Sequence, residues 1–175
     1  GAGYAPNYGN DYFRERHSLA IQALAEYCNK DDFVAYVEIG SLGHWGEWHT
    51  NTDEGLSLLP DAQVCWQYVL DYSDHFHNAR LMMRRNYVMA AEGGMGLYND
   101  MTGHEEDTRK WLGWILEGGS FETAGADLVY QPMEKFWERA PSGGEFTSAY
   151  PMEEMLTERL PDTLRMIRDT HMTFI

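Results

Sequence analysis

The order of segments along this chain predicts an α/β fold, a partial (β/α)8 or TIM barrel. Three observations carry that prediction. Helical and strand periodicities alternate, which implies a parallel sheet with helical crossovers. Each strand ends on polar, chemistry-bearing residues, first Glu47, then Arg84-Arg85, then Asn99-Asp100, then Glu145, and that is where such barrels carry their active face. A doubly wound open sheet follows a similar rule, but the run from Gly40 to Gly46 lacks the G-x-G-x-x-G order its first turn requires.

The elements follow in turn. Residues 1–10 read as loop from their Gly, Pro and Asn content. Asp11 is the expected N-cap of a helix over residues 12–28, with Phe13, Ala20, Leu24 and Tyr27 as its apolar stripe. Residues 29–32 turn the chain into a β-branched and aromatic run, residues 33–39, of strand length. A Gly- and Trp-rich loop follows over residues 40–50. A helix is expected over residues 61–72 with Val64, Tyr68 and Tyr72 on one face, then a strand over residues 79–85. A short helix at residues 87–92 and a short strand at residues 95–98 lead to Asn99-Asp100. Residues 105–116 form the next helix, carrying Trp111 and Trp114 as core residues. An apolar stretch over residues 128–138 precedes a strand that delivers Glu145 behind Gly143-Gly144. Residues 152–169 are helical with an interruption at Pro161, and residues 170–175 close as a strand whose His171 is expected in the core.

Composition narrows the function classes. The chain has 28 acidic against 13 basic residues and a net charge of −15, which opposes a polyanionic partner such as nucleic acid. Six Trp, eleven Tyr and seven Phe supply apolar area that disordered segments lack. No apolar run reaches membrane-spanning length. Cys28 and Cys65 fall in helical segments and read as free, buried thiols.

The strongest chemical signal is Gly43-His44-Trp45-Gly46-Glu47-Trp48-His49. Glycines allow a tight backbone, and a carboxylate set between two Trp has its charged form disfavoured, as a general acid needs. Glu145 is the natural second carboxylate, since glycoside hydrolysis uses a pair of them. Their separation sets the outcome, about 5–5.5 Å for retention and about 6.5–9.5 Å for inversion.

The segments YVEIGSLGHWGEWHT, RLMMRRNY, GMGLYNDMTGHEEDT, PSGGEF and HMTFI, together covering about residues 6–175, resemble a bacterial family of glycosidase-like TIM barrels, a domain of unknown function. They are more distantly similar to the retaining β-galactosidase-type clan, and the glycine-rich run closing on Glu47 is similar to the β-amylase acid loop. The resemblance implies an acid/base glutamate after strand 4 and a nucleophile after strand 7. It therefore places Glu47 as acid/base and Glu145 as nucleophile, with the chain spanning about strands 4 to 8. Where the clan has Asn-Glu at strand 4, this chain has Gly46-Glu47.

Supporting roles fall to the neighbours. His44, Trp45, Trp48, His49 and Tyr87 are expected to line the sugar, with Trp45, Trp48 and Tyr87 as its stacking platform. Arg84 or Arg85 would orient a carboxylate, Glu145 or one on an acidic sugar, by bidentate hydrogen bonds. Asn99 and Asp100 would bind hydroxyls. The expected function is hydrolysis of a glycosidic bond in a carbohydrate, with no cofactor and no metal. A non-catalytic carbohydrate-binding barrel is the first alternative. The second is a metal-dependent hydrolase using His44, His49 and His104 with Glu105. A polysaccharide substrate would favour an extracellular or periplasmic location. A full barrel needs about 250 residues, so the 175 present read as the C-terminal portion of a catalytic domain. The remainder would come from the same longer polypeptide or from another chain.

Overall fold

The computed structural model describes residues 4–120 and 128–175; the first three residues of the expected N-terminal loop lie outside them. The chain is mixed α/β. Helix α1 (Asp11–Cys28) leads into β1 (Tyr36–Glu38), and two 3-10 turns (His44–Gly46 and Thr52–Glu54) lead into α2 (Ala62–His75). Then come β2 (Arg80–Met83), α3 (Val88–Glu92), β3 (Gly96–Thr102) and α4 (Glu105–Glu117). A two-stranded hairpin, β4 (Gly119–Ser120) with β5 (Val129–Tyr130), and a 3-10 turn (Phe136–Glu138) precede β6 (Ser142–Phe146). Helices α5 (Met152–Leu156) and α6 (Leu160–Asp169) follow.

Four strands form one parallel sheet in the order β1-β2-β3-β6, curled into a half-barrel. Strand alternation gives it two faces. Ile39, Met83 and Leu97 point outward into one core with Cys65, Tyr68, Val69, Trp111 and Ile115 of the flanking helices. Tyr36, Glu38, Met82 and Tyr98 take the inner face, in a register that pairs Glu38 with Met82, Met82 with Gly96, and Tyr98 with Gly143. Phe174 closes the inner face at the strands' N-terminal side. Its ring stacks on Tyr36 at 4.6 Å, and a Cβ on Gly143 would lie 2.2 Å from Phe174 Cζ. Only a glycine admits that ring.

Local signals explain most boundaries, and the exceptions have physical causes. The cap of α1 is Asn10, one residue before the expected Asp11. Asn10 has the extended backbone of a cap (φ −72°, ψ 122°), and its side chain accepts the Phe13 amide at 3.0 Å. The expected stripe of α1 faces outward, with Leu24 50% and Tyr27 72% exposed. Ile21 and Ala25 are the buried residues. Both rows have helical spacing, and only the position of α2 decides between them. The first strand shrinks to Tyr36–Glu38 because Phe33, 90% exposed, has no sheet to join. Pro161 lies in the first turn of α6 and opens that helix instead of interrupting one. Residues 170–175 make no strand. One backbone bond, Thr173 N–H to the Ser142 carbonyl at 2.8 Å, ties them to β6. His171 is exposed and stacks on Trp137 at 4.1 Å, so it is not a core residue.

Candidate functional site

The loop after β1 is wound unusually tightly. Ser41, Gly43, Trp45, Gly46 and Trp48 all have positive φ, and for a non-glycine residue this costs about 1–3 kcal/mol. The His44 amide donates to the His49 carbonyl and the Trp48 amide to the Leu42 carbonyl. At Gly43 (φ 78°) a Cβ would lie 2.3 Å from the His49 carbonyl oxygen, so this crossing requires glycine. Trp48 anchors the loop from below. It is fully buried, its Nε1 donates to the Ile39 carbonyl at 2.8 Å, and its ring packs 6.1 Å from Tyr87.

That anchoring presents Glu47 over the C-terminal end of the sheet, where Arg84 meets it. The Arg84 guanidinium donates to Glu47 Oε2 at 3.0 Å and to the Glu47 carbonyl at 3.1 Å. Its other amino group is bonded to Asp100. Arg84 is itself 7% exposed, so these contacts are strong ones. Glu47 has its pKa raised: burial dominates, Arg84 opposes, and Asp100 and Glu145 reinforce. His49 Nδ1 lies 2.6 Å from Arg84 Nη1. A guanidinium only donates, so Nδ1 accepts and the ring proton sits on Nε2. Burial and then the adjacent guanidinium push His49 down to about 4, leaving a neutral imidazole.

Glu145 lies at the matching end of β6, exposed. β3 carries one extra residue against β6 between Asn99 and Thr102, a bulge of the kind that re-aims side chains at a rim. Glu145 acts electrostatically on Glu47 and is the charge acting most strongly on a residue the sequence reading passed over, Glu38. Glu38 is half-buried on the inner face of β1, and its carboxyl has no hydrogen bond or ion pair among the described residues. Burial first, then Glu145 and Asp100, raise it to about 7. The available signal was its position: a charged residue two after Tyr36, inside a β-branched run, has to face either core or site. Tyr98 stands near it, its phenol pushed up by burial and then by Glu38.

The site thus sets Arg84 between Glu47 and Asp100, with Glu145 acting on Glu47 and on Glu38. No protein-family model, curated protein or solved structure matches the chain.

Several expected site residues stand elsewhere. Trp48 and Tyr87 are both fully buried and expose no face on which a sugar could stack. Of the expected platform, Trp45 alone is open, at 84% exposure, with the His44 and His49 rings 5.5 and 5.8 Å away. Of the two arginines expected to orient a carboxylate, Arg84 holds those of Glu47 and Asp100. Arg85 points to the outer side, its guanidinium 4.6 Å over the Trp114 ring. Asn99 is buried toward α4, bonding Thr108 and the Met101 amide, so it shapes the strand end. Trp114 is only partly buried, whereas Trp111 is a core residue as expected. His104 caps α4 and pairs with Asp107 at 2.8 Å. Among the described residues no group of three or more His, Cys, Asp or Glu is placed to hold a metal.

Proposed function

We propose that the chain is the C-terminal part of a (β/α)8 glycoside hydrolase-like domain, with β1, β2, β3 and β6 as barrel strands 4 to 7. Glu47 is the acid/base and Glu145 the nucleophile of hydrolysis at a glycosidic bond in a carbohydrate. The observation that carries this reading is the convergence of the two carboxyls. Far apart in sequence, they stand at the C-terminal ends of parallel strands, and Glu145 acts electrostatically on Glu47 as it does on Glu38. The three steps from β1 to β6 in the sheet match the three from strand 4 to strand 7 in the retaining clan. Burial raises Glu47 in the direction a proton donor requires, while Arg84 fixes its orientation. The exposed Trp45 ring, with the His44 and His49 rings beside it, is the stacking surface for the sugar. The outer edge of β1 has no partner strand among the described residues. The remaining βα units, from the same longer polypeptide or another chain, would pair there.

Turnover of aryl glycosides by wild type, Glu47→Gln and Glu145→Gln tests the assignment. Each variant is expected to lose about 10²–10⁴-fold in rate. Azide should restore turnover to Glu145→Ala with inversion at the anomeric carbon. Wild-type rates in both Gln variants would overturn the reading. Trp45, 84% exposed, also favours a second reading, a carbohydrate-binding barrel without turnover. Unchanged sugar affinity in Glu47→Gln, with no hydrolysis by wild type, identifies it.

A further inference from the structure

Outside the carboxylate site, three polar side chains from three elements meet where β1 leaves the sheet. His17 lies midway along α1, Asp71 lies on α2, and Ser41 follows β1 by three residues. His17 Nδ1 is 2.7 Å from Asp71 Oδ2, and His17 Nε2 is 2.7 Å from Ser41 Oγ. Both separations fall inside the range a nucleophile, its base and an orienting acid require, about 2.6–3.2 Å. The His17 and Asp71 side chains are only 11% and 21% exposed, so little water competes for these bonds.

Proton placement follows from chemistry. An Asp71 carboxylate accepts, so the His17 proton sits on Nδ1 and Nε2 is left as a base facing Ser41. The Tyr72 hydroxyl lies 2.8 Å from Ser41 Oγ. With Tyr72 donating to Oγ, the serine's own proton is directed at His17 Nε2. Ser41 also has φ 81°, a left-handed conformation that serine adopts only under constraint. It sits between Gly40 and Leu42-Gly43, at the sharp turn where a parallel strand ends. Strained strand-end turns of this kind present the nucleophile in hydrolases unrelated in chain order. Ser41 keeps part of its surface open.

We propose that Ser41, His17 and Asp71 form a second reactive centre, an acyl-transfer site for small carboxylic esters. Ser41 Oγ bonds to the acyl carbon as His17 Nε2 takes the serine proton. The ester C–O bond breaks, and the alkoxide leaves with the proton from His17. Water then attacks the acyl-serine, giving its proton to His17; the acyl–Oγ bond breaks, His17 returns that proton to Ser41 Oγ, and the carboxylic acid is released. Asp71 holds the imidazole in the required tautomer throughout. The centre is independent of the carboxylate pair, and the two readings stand or fall on different residues.

The test is covalent labelling of the folded protein with a fluorophosphonate, followed by peptide mapping, together with hydrolysis of p-nitrophenyl acetate. A single adduct on Ser41 is expected, absent in Ser41→Ala. His17→Gln should slow labelling by at least about 100-fold, and Asp71→Asn by at least about tenfold. Glu47→Gln should label at the wild-type rate. Circular dichroism of each variant separates loss of reactivity from loss of fold, and Asp71→Asn, which keeps the shape of the acid, remains informative if His17→Gln unfolds. No adduct on Ser41 in the wild type would overturn the proposal. So would labelling that neither the His17 nor the Asp71 substitution slows.

Discussion

Replacing Glu38 by Gln measures the electrostatics of the inner face in one variant. The carboxyl is half-buried and faces Glu145 and Asp100, and burial together with those charges raises it from 4.5 to about 7. The folded value lies above the unfolded one, so the unfolded chain surrenders this proton first. Below about pH 4.5 the group costs nothing; between there and about pH 7 stability falls, and above that the whole cost is present. At 1.36 kcal/mol per pK unit the ceiling is about 3 kcal/mol. Solvent reaching the half-open carboxyl reduces this to about 1–2 kcal/mol. Gln reproduces the shape of the neutral acid without its ionisation. Urea midpoints of the two proteins should therefore coincide near pH 4.5, and Glu38→Gln should be about 1–2 kcal/mol the more stable at about pH 8. A stability gap that does not change with pH would refute the reasoning, because it would mean that the carboxyl is not held neutral by its surroundings. Adding Glu145→Gln should shrink the gap, since Glu145 is the largest charge acting on Glu38.

Two further outcomes are expected. Gly43→Ala places a Cβ 2.3 Å from the His49 carbonyl at φ 78°; it should cost at least about 2 kcal/mol and lower activity at Glu47 by displacing the loop, whereas full stability in a denaturation curve would contradict the crossing described. His49 should show the Nε2–H tautomer in nitrogen NMR spectra, with no titration until about pH 4. Its folded value lies below the ordinary one, so the stability it contributes is present above about pH 6.5 and is lost as pH falls toward 4. An NMR midpoint near 6.5 would remove the Arg84 contact from the account.

Much of the scaffold was legible along the chain because its signals are local. The helix expected from Asp61 forms as α2, with Asp61 as its cap, its carboxylate accepting the Val64 amide at 2.9 Å, and the alternation of helix and strand did yield a parallel sheet. Glu47, Arg84, Asp100 and Glu145 were recognisable by their place at strand ends. What one dimension could not supply was direction. Trp45 and Trp48 look equivalent around Glu47, yet one is 84% exposed and the other fully buried, because the backbone takes left-handed conformations at Trp45, Gly46 and Trp48. The adjacent Arg84 and Arg85, just past the end of β2, likewise part: one holds Glu47 and Asp100, the other lies over the Trp114 ring.

The sequence by itself therefore determined the α/β alternation and the residue types available at each strand end, which rest on interactions within a few positions. The tertiary structure alone decided which of those residues meet. Curling of the sheet brought Glu38 within electrostatic range of Glu145, and the packing of α1 on α2 set His17 between Asp71 and Ser41. Neither juxtaposition has a local cause. Each depends on the relative placement of elements far apart in the chain, which is fixed by burial of the shared core rather than by any pattern in the residues that touch.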